Sequence, residues 1–334
     1  MRIRSMVKNN AKGKREIIVI MLAVCLTGFL SAVDKVILDQ GCSENFYLKM
    51  MKNNVYMDGC IGIDIDNQGY YYFLDLQFAH IVKVDPLSGK LIRVISKKGR
   101  GPGELSEPGK MKIYRDTIYV ADGVYGGVKI FDLDGKALDE FRTASRCTEI
   151  DIGDKGSIYV KEINPTTHTL ISIYTPQGKK IGDVIPYPPE IHKDRVKYAL
   201  YSNFHFCLDD HNHIIVLFFL KRNLEKYDPR GKCLWQRKIS NELIDRIPPE
   251  DDQLSFSSNR FHTRFSVFNL DTVKGGDILV GHAYGGVIYN KDGEMRKLIT
   301  FKKEDHLNTF RWSGKILMNF NAFEEDLRIY QEVF

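Results

Sequence analysis

The sequence predicts an all-β fold, a six-bladed β-propeller with four-stranded blades, and two observations carry that expectation. The first is a strand–turn–strand pattern that recurs through most of the 334 residues. The second is a glycine at the same point of successive copies. Gly89, Gly135, Gly178, Gly231 and Gly293 follow one another at gaps of 46, 43, 53 and 62 residues. A repeat of about 40–50 residues that carries four strands is the signature of a propeller blade. One large all-β domain accounts for the length, because β architectures often exceed the usual domain size.

Each copy has a short strand, a polar Gly/Asp turn, a strand rich in Ile, Val and Tyr, and a loop. An alternating strand, a second turn and a last short strand complete it. The copies begin at Ile61, Met111, Thr148, Phe204 and Phe265. Alternation in twos is what a sheet packed between neighbouring sheets requires. Gly and Asp at the turns supply the positive φ of tight hairpins. A sixth copy, around Phe310, has three strands. A propeller that fails to close exposes sheet edges. The segment 45–57, NFYLKMMKNNVYM, belongs to no copy and is expected to supply the missing outer strand of the last blade.

Residues 97–110 read KKGRGPGELSEPGK. They follow the last strand of the first copy and precede the first strand of the second, so they form the crossover from rim to axis. Gly99, Gly101 and Gly103 are expected to permit unusual backbone angles, and Pro102 and Pro108 to stiffen the path. A phosphate cradle does not fit. Glu104 stands where the last Gly of GxGxxG would be, and no Gly-Lys-Ser/Thr opens a helix.

The formal charge is +5, and residues 1–35 hold seven Lys/Arg against two acids, which leaves the rest of the chain neutral. A nucleic-acid binder carries its excess charge on the folded body, so no nucleic-acid partner is expected. The basic start leads into IIVIMLAVCLTGFLSAV, residues 17–33, which holds no charge. A positive flank and an apolar run make an export signal. The run sits at the bottom of the range of about 17–25 residues for a spanning helix. Ala32 at the cleavage point would put Leu30 where a small residue is wanted. The expectation is an N-terminal apolar helix within residues 1–35, acting as an export signal or retained as a membrane anchor. The propeller, 36–334, then lies in the cell envelope, in the periplasm or on the periplasmic side of the inner membrane. The six cysteines form no CxxC pair and read as mostly buried free thiols.

Residues 99–138, GRGPGELSEPGKMKIYRDTIYVADGVYGGVKIFDLDGKAL, resemble the NHL repeat in the Gly-rich, Pro-terminated lead-in, the IYVAD strand and the KIFDLDGK strand and turn. The GPGE form is similar to TolB-like six-bladed propeller proteins of the bacterial cell envelope. The resemblance covers the first two copies well and the others in outline. It puts Asp75 and Asp122 at the family's strand-end Asp, with Glu162, Phe219 and Gly281 near that place in later copies. It implies the fold and little about chemistry, because a fold does not fix a function.

In a propeller the blade-to-blade crossovers share one face with the loops between second and third strands. Two crossovers, 186–203 and 240–264, are long and rich in Pro, charges and aromatics. Long loops on a rigid scaffold are where binding concentrates. The candidate ligand-binding residues are Arg100 in the first crossover, then His80, Tyr125, His168, Arg222, His282 and Tyr284 on loops of that face. Lys110, Glu149, His205 and Arg264 are the candidates at the channel mouth. Each alone also reads as a solvated or salt-bridged structural residue. Convergence on one face makes the group a binding surface.

Binding is the expected activity, with a protein, peptide or glycan as partner and no cofactor. The alternative is a lactonase-like, divalent-metal-dependent hydrolase or lyase in the channel. A hard cation wants several oxygen ligands, and Glu149 and Asn203 are the only obvious donors among nearby cations. His211 and His213 align with turns of other copies, and no GxSxG nucleophile elbow occurs.

Overall fold

The computed structural model describes residues 34–38, 45–164, 166–218, 221–240, 255–257, 260–262, 267–273, 275–282, 285–301, 308–313, 316–321 and 326–331. The apolar run 17–33, with its expected helix, lies outside the described residues. Among the described residues no helix is long and apolar enough to cross a membrane.

The chain is an all-β propeller, and its described residues form five four-stranded antiparallel blades. The first blade holds Cys60–Ile65, Tyr71–Asp75, His80–Val84 and Leu91–Ile95. The second holds Pro108–Tyr114, Thr117–Asp122, Gly127–Asp132 and Ala137–Arg142. Ile150–Ile152, Ile158–Asn164, Thr169–Tyr174 and Lys180–Pro186 make the third. Phe204–Leu208, Ile214–Phe218, Asn223–Tyr227 and Cys233–Lys238 make the fourth. The fifth is Val267–Val273, Asp277–His282, Gly285–Tyr289 and Met295–Phe301. A three-stranded sheet follows, with Asn308–Ser313, Ile316–Asn321 and Asp326–Gln331. The first strand of each sheet lies beside that of the next, and Asn308–Ser313 lies beside Cys60–Ile65, so the innermost strands form a closed ring.

Alternation sorts neighbouring residues into opposite seams between blades. Val120 packs with Leu74 and Ile81 of the first blade. Its neighbour Tyr119 packs with Ile150 and Ile158 of the third. The turn glycines read from the sequence all have positive φ, from 69° to 87°. They also allow close approach. A Cβ on Gly135 would lie 2.9 Å from Ile95, and one on Gly178 2.4 Å from Phe141, each on the outer strand of the preceding blade.

Segment 45–57 departs from expectation. It holds a helix, Phe46–Met51, rather than a strand. Phe46, Tyr47 and Met50 bring a helical spacing of apolar residues, and the Asn45 side chain caps the start by accepting from Tyr47 N and Leu48 N. The buried side chains pack on Tyr71, Phe73 and Val82 of the first blade, and the helix lies against the last strand, Asp326–Gln331. A Cβ on Gly89 would meet Lys49 at 2.9 Å. For the first blade, the helix therefore stands where the preceding blade's outer strand stands elsewhere. The N-terminal strand that does pair is Asp34–Leu38, and it adds to Met295–Phe301 at the outer edge of the fifth blade.

The 97–110 crossover lies between blades as read, but its glycines do different work. Only Gly103 takes the left-handed region, at φ 71°. Gly99 and Gly101 leave room for Glu104, whose carboxylate accepts from Gly101 N at 2.9 Å and pairs with Lys97 at 3.2 Å.

Two substitutions test this packing. Met50 is fully buried, so Met50→Ala is expected to lower unfolding free energy by about 2–5 kcal/mol in urea titration. A Cβ on Gly109 would sit 2.1 Å from the Thr148 carbonyl of the next blade. Gly109→Ala is expected to cost about 1–3 kcal/mol, while Gly182→Ala, whose nearest neighbour is Ile173 at 3.9 Å, leaves the midpoint close to wild type.

Candidate functional site

An innermost strand pairs on one side only, so its other edge presents unpaired N–H and C=O groups to the channel. At Phe204–Leu208 side chains fill that edge completely from Phe204 O onward. Phe204 O accepts from Lys161 Nζ at 2.6 Å, and Phe206 O from Lys110 Nζ at 3.1 Å. Phe206 N donates to Glu149 at 3.2 Å and Leu208 N to Asp151 at 2.9 Å. Leu208 O accepts from Thr272 Oγ1 at 2.8 Å. Lys110 comes from the second blade, Glu149, Asp151 and Lys161 from the third, and Thr272 from the fifth. Asp64 makes the same kind of link from the first blade to the second, accepting from Ile113 N at 2.7 Å.

Several described charges of the channel are therefore paired. Lys110 lies 3.9 Å from Glu149, and His205 Nδ1 lies 3.0 Å from it. Burial works to raise the Glu149 pKa, but His205, Lys110 and Lys161 outweigh it and hold the carboxyl down at about 2. Lys112 sits 3.6 Å from Asp151. Asp151 pushes its pKa up against desolvation, helped by Asp64 and Asp271. Gly62, Asp64, Lys112, Asn269 and Asp271 line a small recess of the channel, and Asn269 donates to Asp271 at 2.7 Å.

Strand-end acids hold the crossover face. Asp75 accepts from Asp58 N and Phe78 N. Asp122 accepts from Ser106 N, Ser106 Oγ, Glu107 N and Tyr125 N. Glu162 takes the role in the third blade, accepting from Ser145 N at 2.8 Å and Tyr174 Oη at 2.7 Å.

On that face His80 stacks on the exposed Phe78 at 5.4 Å, and its buried Nε2 has no partner among the described residues. Desolvation lowers its pKa, with Asp75 opposing. Arg100 is exposed on the 97–110 loop. The Tyr125 ring lies 4.3 Å from Lys129 Nζ and 4.5 Å from the Arg142 guanidinium. His168 stacks edge-on against Tyr187 at 5.8 Å, and Arg222 O accepts from Ile239 N. Both residues adopt positive φ. Arg264 and Tyr284 lie outside the described residues, as does most of 240–264. His282 ends the strand Asp277–His282. The structure thus brings Lys110, Glu149 and His205 into one cluster and spreads His80, Arg100, Tyr125, His168 and Arg222 over loops of the first four blades.

The long crossover 186–203 is folded. A 3-10 turn, Pro189–Lys193, leads to a helix, Arg195–Ser202. Tyr187 and Ile191 are buried with Phe204 and Phe218 in the seam between third and fourth blades, and Tyr198 and Tyr201 pack against them. Two residues that sequence reasoning passed over lie here. Lys161 Nζ is 4.5 Å from the Phe204 ring. Lys221 Nζ is 3.6 Å from the Tyr201 ring and 3.9 Å from the Phe218 ring. Desolvation lowers both pKa values, with Glu149 opposing at Lys161 and Glu225 at Lys221. The available signal was a lysine inside the apolar strand IYVKEIN and one directly after the apolar run IIVLFFL.

Neither a protein-family model nor a curated relative matches the chain. Solved structures do. A streptogramin B lyase is 11% identical at TM-score 0.54, covering 82% of this chain and 83% of its own. A catalytically inactive virginiamycin B lyase from Staphylococcus aureus, with quinupristin, is 12% identical at TM-score 0.52, covering 82% and 84%. Hydrazine synthase of Kuenenia stuttgartiensis is 10% identical at TM-score 0.52, covering 82% and 96%. These likenesses establish the propeller fold.

The Glu149 cluster has a pH signature. Its folded pKa lies below the unfolded value of about 4.3, so its stabilisation is present above pH 4.3 and is lost as pH falls towards 2. The loss is on the order of 3 kcal/mol. Chemical denaturation between pH 5 and 2 is expected to show a shallower decline in Glu149→Gln than in wild type.

Proposed function

We propose that the protein is an exported or membrane-anchored six-bladed propeller, of the TolB-like and NHL-repeat kind, that binds a protein, peptide or glycan on its crossover face without catalysis. One observation carries this reading. The polar groups at the channel mouth hold the ring together, while the 186–203 crossover is folded and packed as a fixed roof on the same face. A rigid roof over a seam suits recognition, and committed channel groups are poorly placed to act on a substrate. The charged start and apolar run 17–33 support export, and the neutral body supports a partner other than nucleic acid.

The alternative is a divalent-metal-dependent hydrolase or lyase working in the channel. Its prompt is the lyase activity named for two similar structures, at an identity where likeness reaches the fold alone.

Full-length protein with a C-terminal tag is to be fractionated in a bacterial host and its N-terminus determined, then screened on glycan and peptide arrays. The expected result is an envelope-located protein with a saturable ligand whose affinity falls about tenfold in Arg100→Ala or Tyr125→Ala. A cytosolic protein with its start intact would sink the export reading. Saturable stabilisation by calcium, magnesium or manganese in a thermal-shift screen, with turnover lost on occupying the channel, would favour the alternative.

A further inference from the structure

Burying a charge is costly unless it is paired, and six half-buried or buried lysines of this propeller follow that rule. Lys83 pairs with Asp66, Lys110 with Glu149, Lys112 with Asp151, Lys129 with Glu140, Lys180 with Asp183 and Lys226 with Asp209, all within 4 Å. Lys161 and Lys221 have no carboxylate within that distance among the described residues. Lys161 makes one hydrogen bond, to Phe204 O. Lys221 has aromatic faces beneath its ammonium and no oxygen acceptor among the described residues.

Lys161 and Lys221 share one place. Phe204 and Phe218 are opposite one another in register, with rings 5.7 Å apart. Lys161 approaches the first ring and Lys221 the second. Both amines therefore flank one aromatic pair at the seam between the third and fourth blades, beside the helix Arg195–Ser202 that supplies Tyr201. Chance would scatter unpaired amines over the surface, where water solvates them. Here they are desolvated together, on the face that carries the folded crossover 186–203. Aromatic contacts offset part of the desolvation, and a charge-assisted hydrogen bond to a bound anion would offset more.

We propose that this seam holds the oxyanion group of a ligand, a carboxylate or a phosphate, between Lys161 and Lys221. The inference rests on the crossover face being the binding face and names the chemistry recognised there. Lys161 retains two N–H donors beyond its bond to Phe204 O, and Lys221 retains three. The ligand oxyanion supplies the direct counter-charge that those six lysines find within 4 Å inside the protein.

Calorimetric titration of the full-length protein with glucuronate, inorganic phosphate and a sodium chloride control tests this. Lys161→Met and Lys221→Met keep the apolar stem and drop the charge, and Lys179→Met changes an exposed lysine on a distant turn. Saturable binding above the chloride control is expected, weakened about tenfold or more by either seam variant and unchanged by the third. Tighter glucuronate marks a carboxylated sugar as the source, and tighter phosphate marks a phosphoester. Should a variant fold poorly, differential lysine labelling of the wild type gives the same answer, because the bound anion protects Lys161 and Lys221 against acylation. No saturable binding of either anion, or wild-type affinity in both seam variants, overturns the inference. Array-detected binding that both variants leave intact overturns it while leaving the binding-face reading standing, whereas absence of any ligand on that face removes both.

Discussion

The constraint on which this structure depends is the unpaired edge of each innermost strand. A blade hydrogen-bonds within itself, and nothing in its sheet satisfies the edge that looks into the channel. An unsatisfied buried backbone group costs about 1–3 kcal/mol. At Phe204–Leu208 the chain answers with five side-chain bonds from three other blades. Those bonds also carry geometric information. An alternating ladder of acceptors and donors fits only one register between neighbouring blades, whereas apolar seams tolerate sliding. The same groups thus set both the cohesion of the ring and the relative height of its blades.

The crossover face has a parallel solution. The segments leading into the first three blades arrive at their inner strands with backbone N–H groups that no sheet receives. Asp75, Asp122 and Glu162, each near the end of a second strand, take them up. The Asp-to-Glu change in the third blade lengthens the side chain by one methylene and keeps the carboxylate function. The motif therefore decays in sequence while its physical task persists. This explains why two copies of the repeat were readable as a family pattern and the others only in outline.

Legibility followed the range of the determining interactions. Strand periodicity and positive-φ turn glycines are local, and they placed the five blades with their turns. The segment around Phe46 needed two competing local rules to be weighed. Closure demanded something at the outer edge of the last sheet, but NFYLKMM has an Asn cap and a helical apolar spacing, and it meets the demand as a helix. The GRGPGE loop was legible as a crossover but not in its detail, since Gly99 and Gly101 answer to the Glu104 carboxylate rather than to backbone angle. Lys110, Glu149 and His205 were read as neighbours at the channel mouth. Their commitment to a strand edge and to one another was not readable, because it depends on contacts spanning 56 to 96 residues.

Edge satisfaction and ligand recognition draw on the same residue types, and this competition decides where recognition can live. Every channel carboxylate engaged by a backbone N–H or an ammonium is a carboxylate a ligand would have to displace, at the cost of reopening a buried edge. Binding chemistry is cheapest where a charged group has already been desolvated by the fold but not neutralised by it. Lys161 and Lys221, with no carboxylate within 4 Å among the described residues, come nearest to that condition, beside the helix Arg195–Ser202. Lys161 belongs to both systems at once. It closes the edge at Phe204 O with one N–H and presents the others at the seam, so occupation of the seam would be felt by the innermost strand of the fourth blade. If the proposed ligand binds there, the stitch that holds the ring and the group that meets the ligand are one side chain, which would couple recognition on the crossover face to the packing of the propeller's axis.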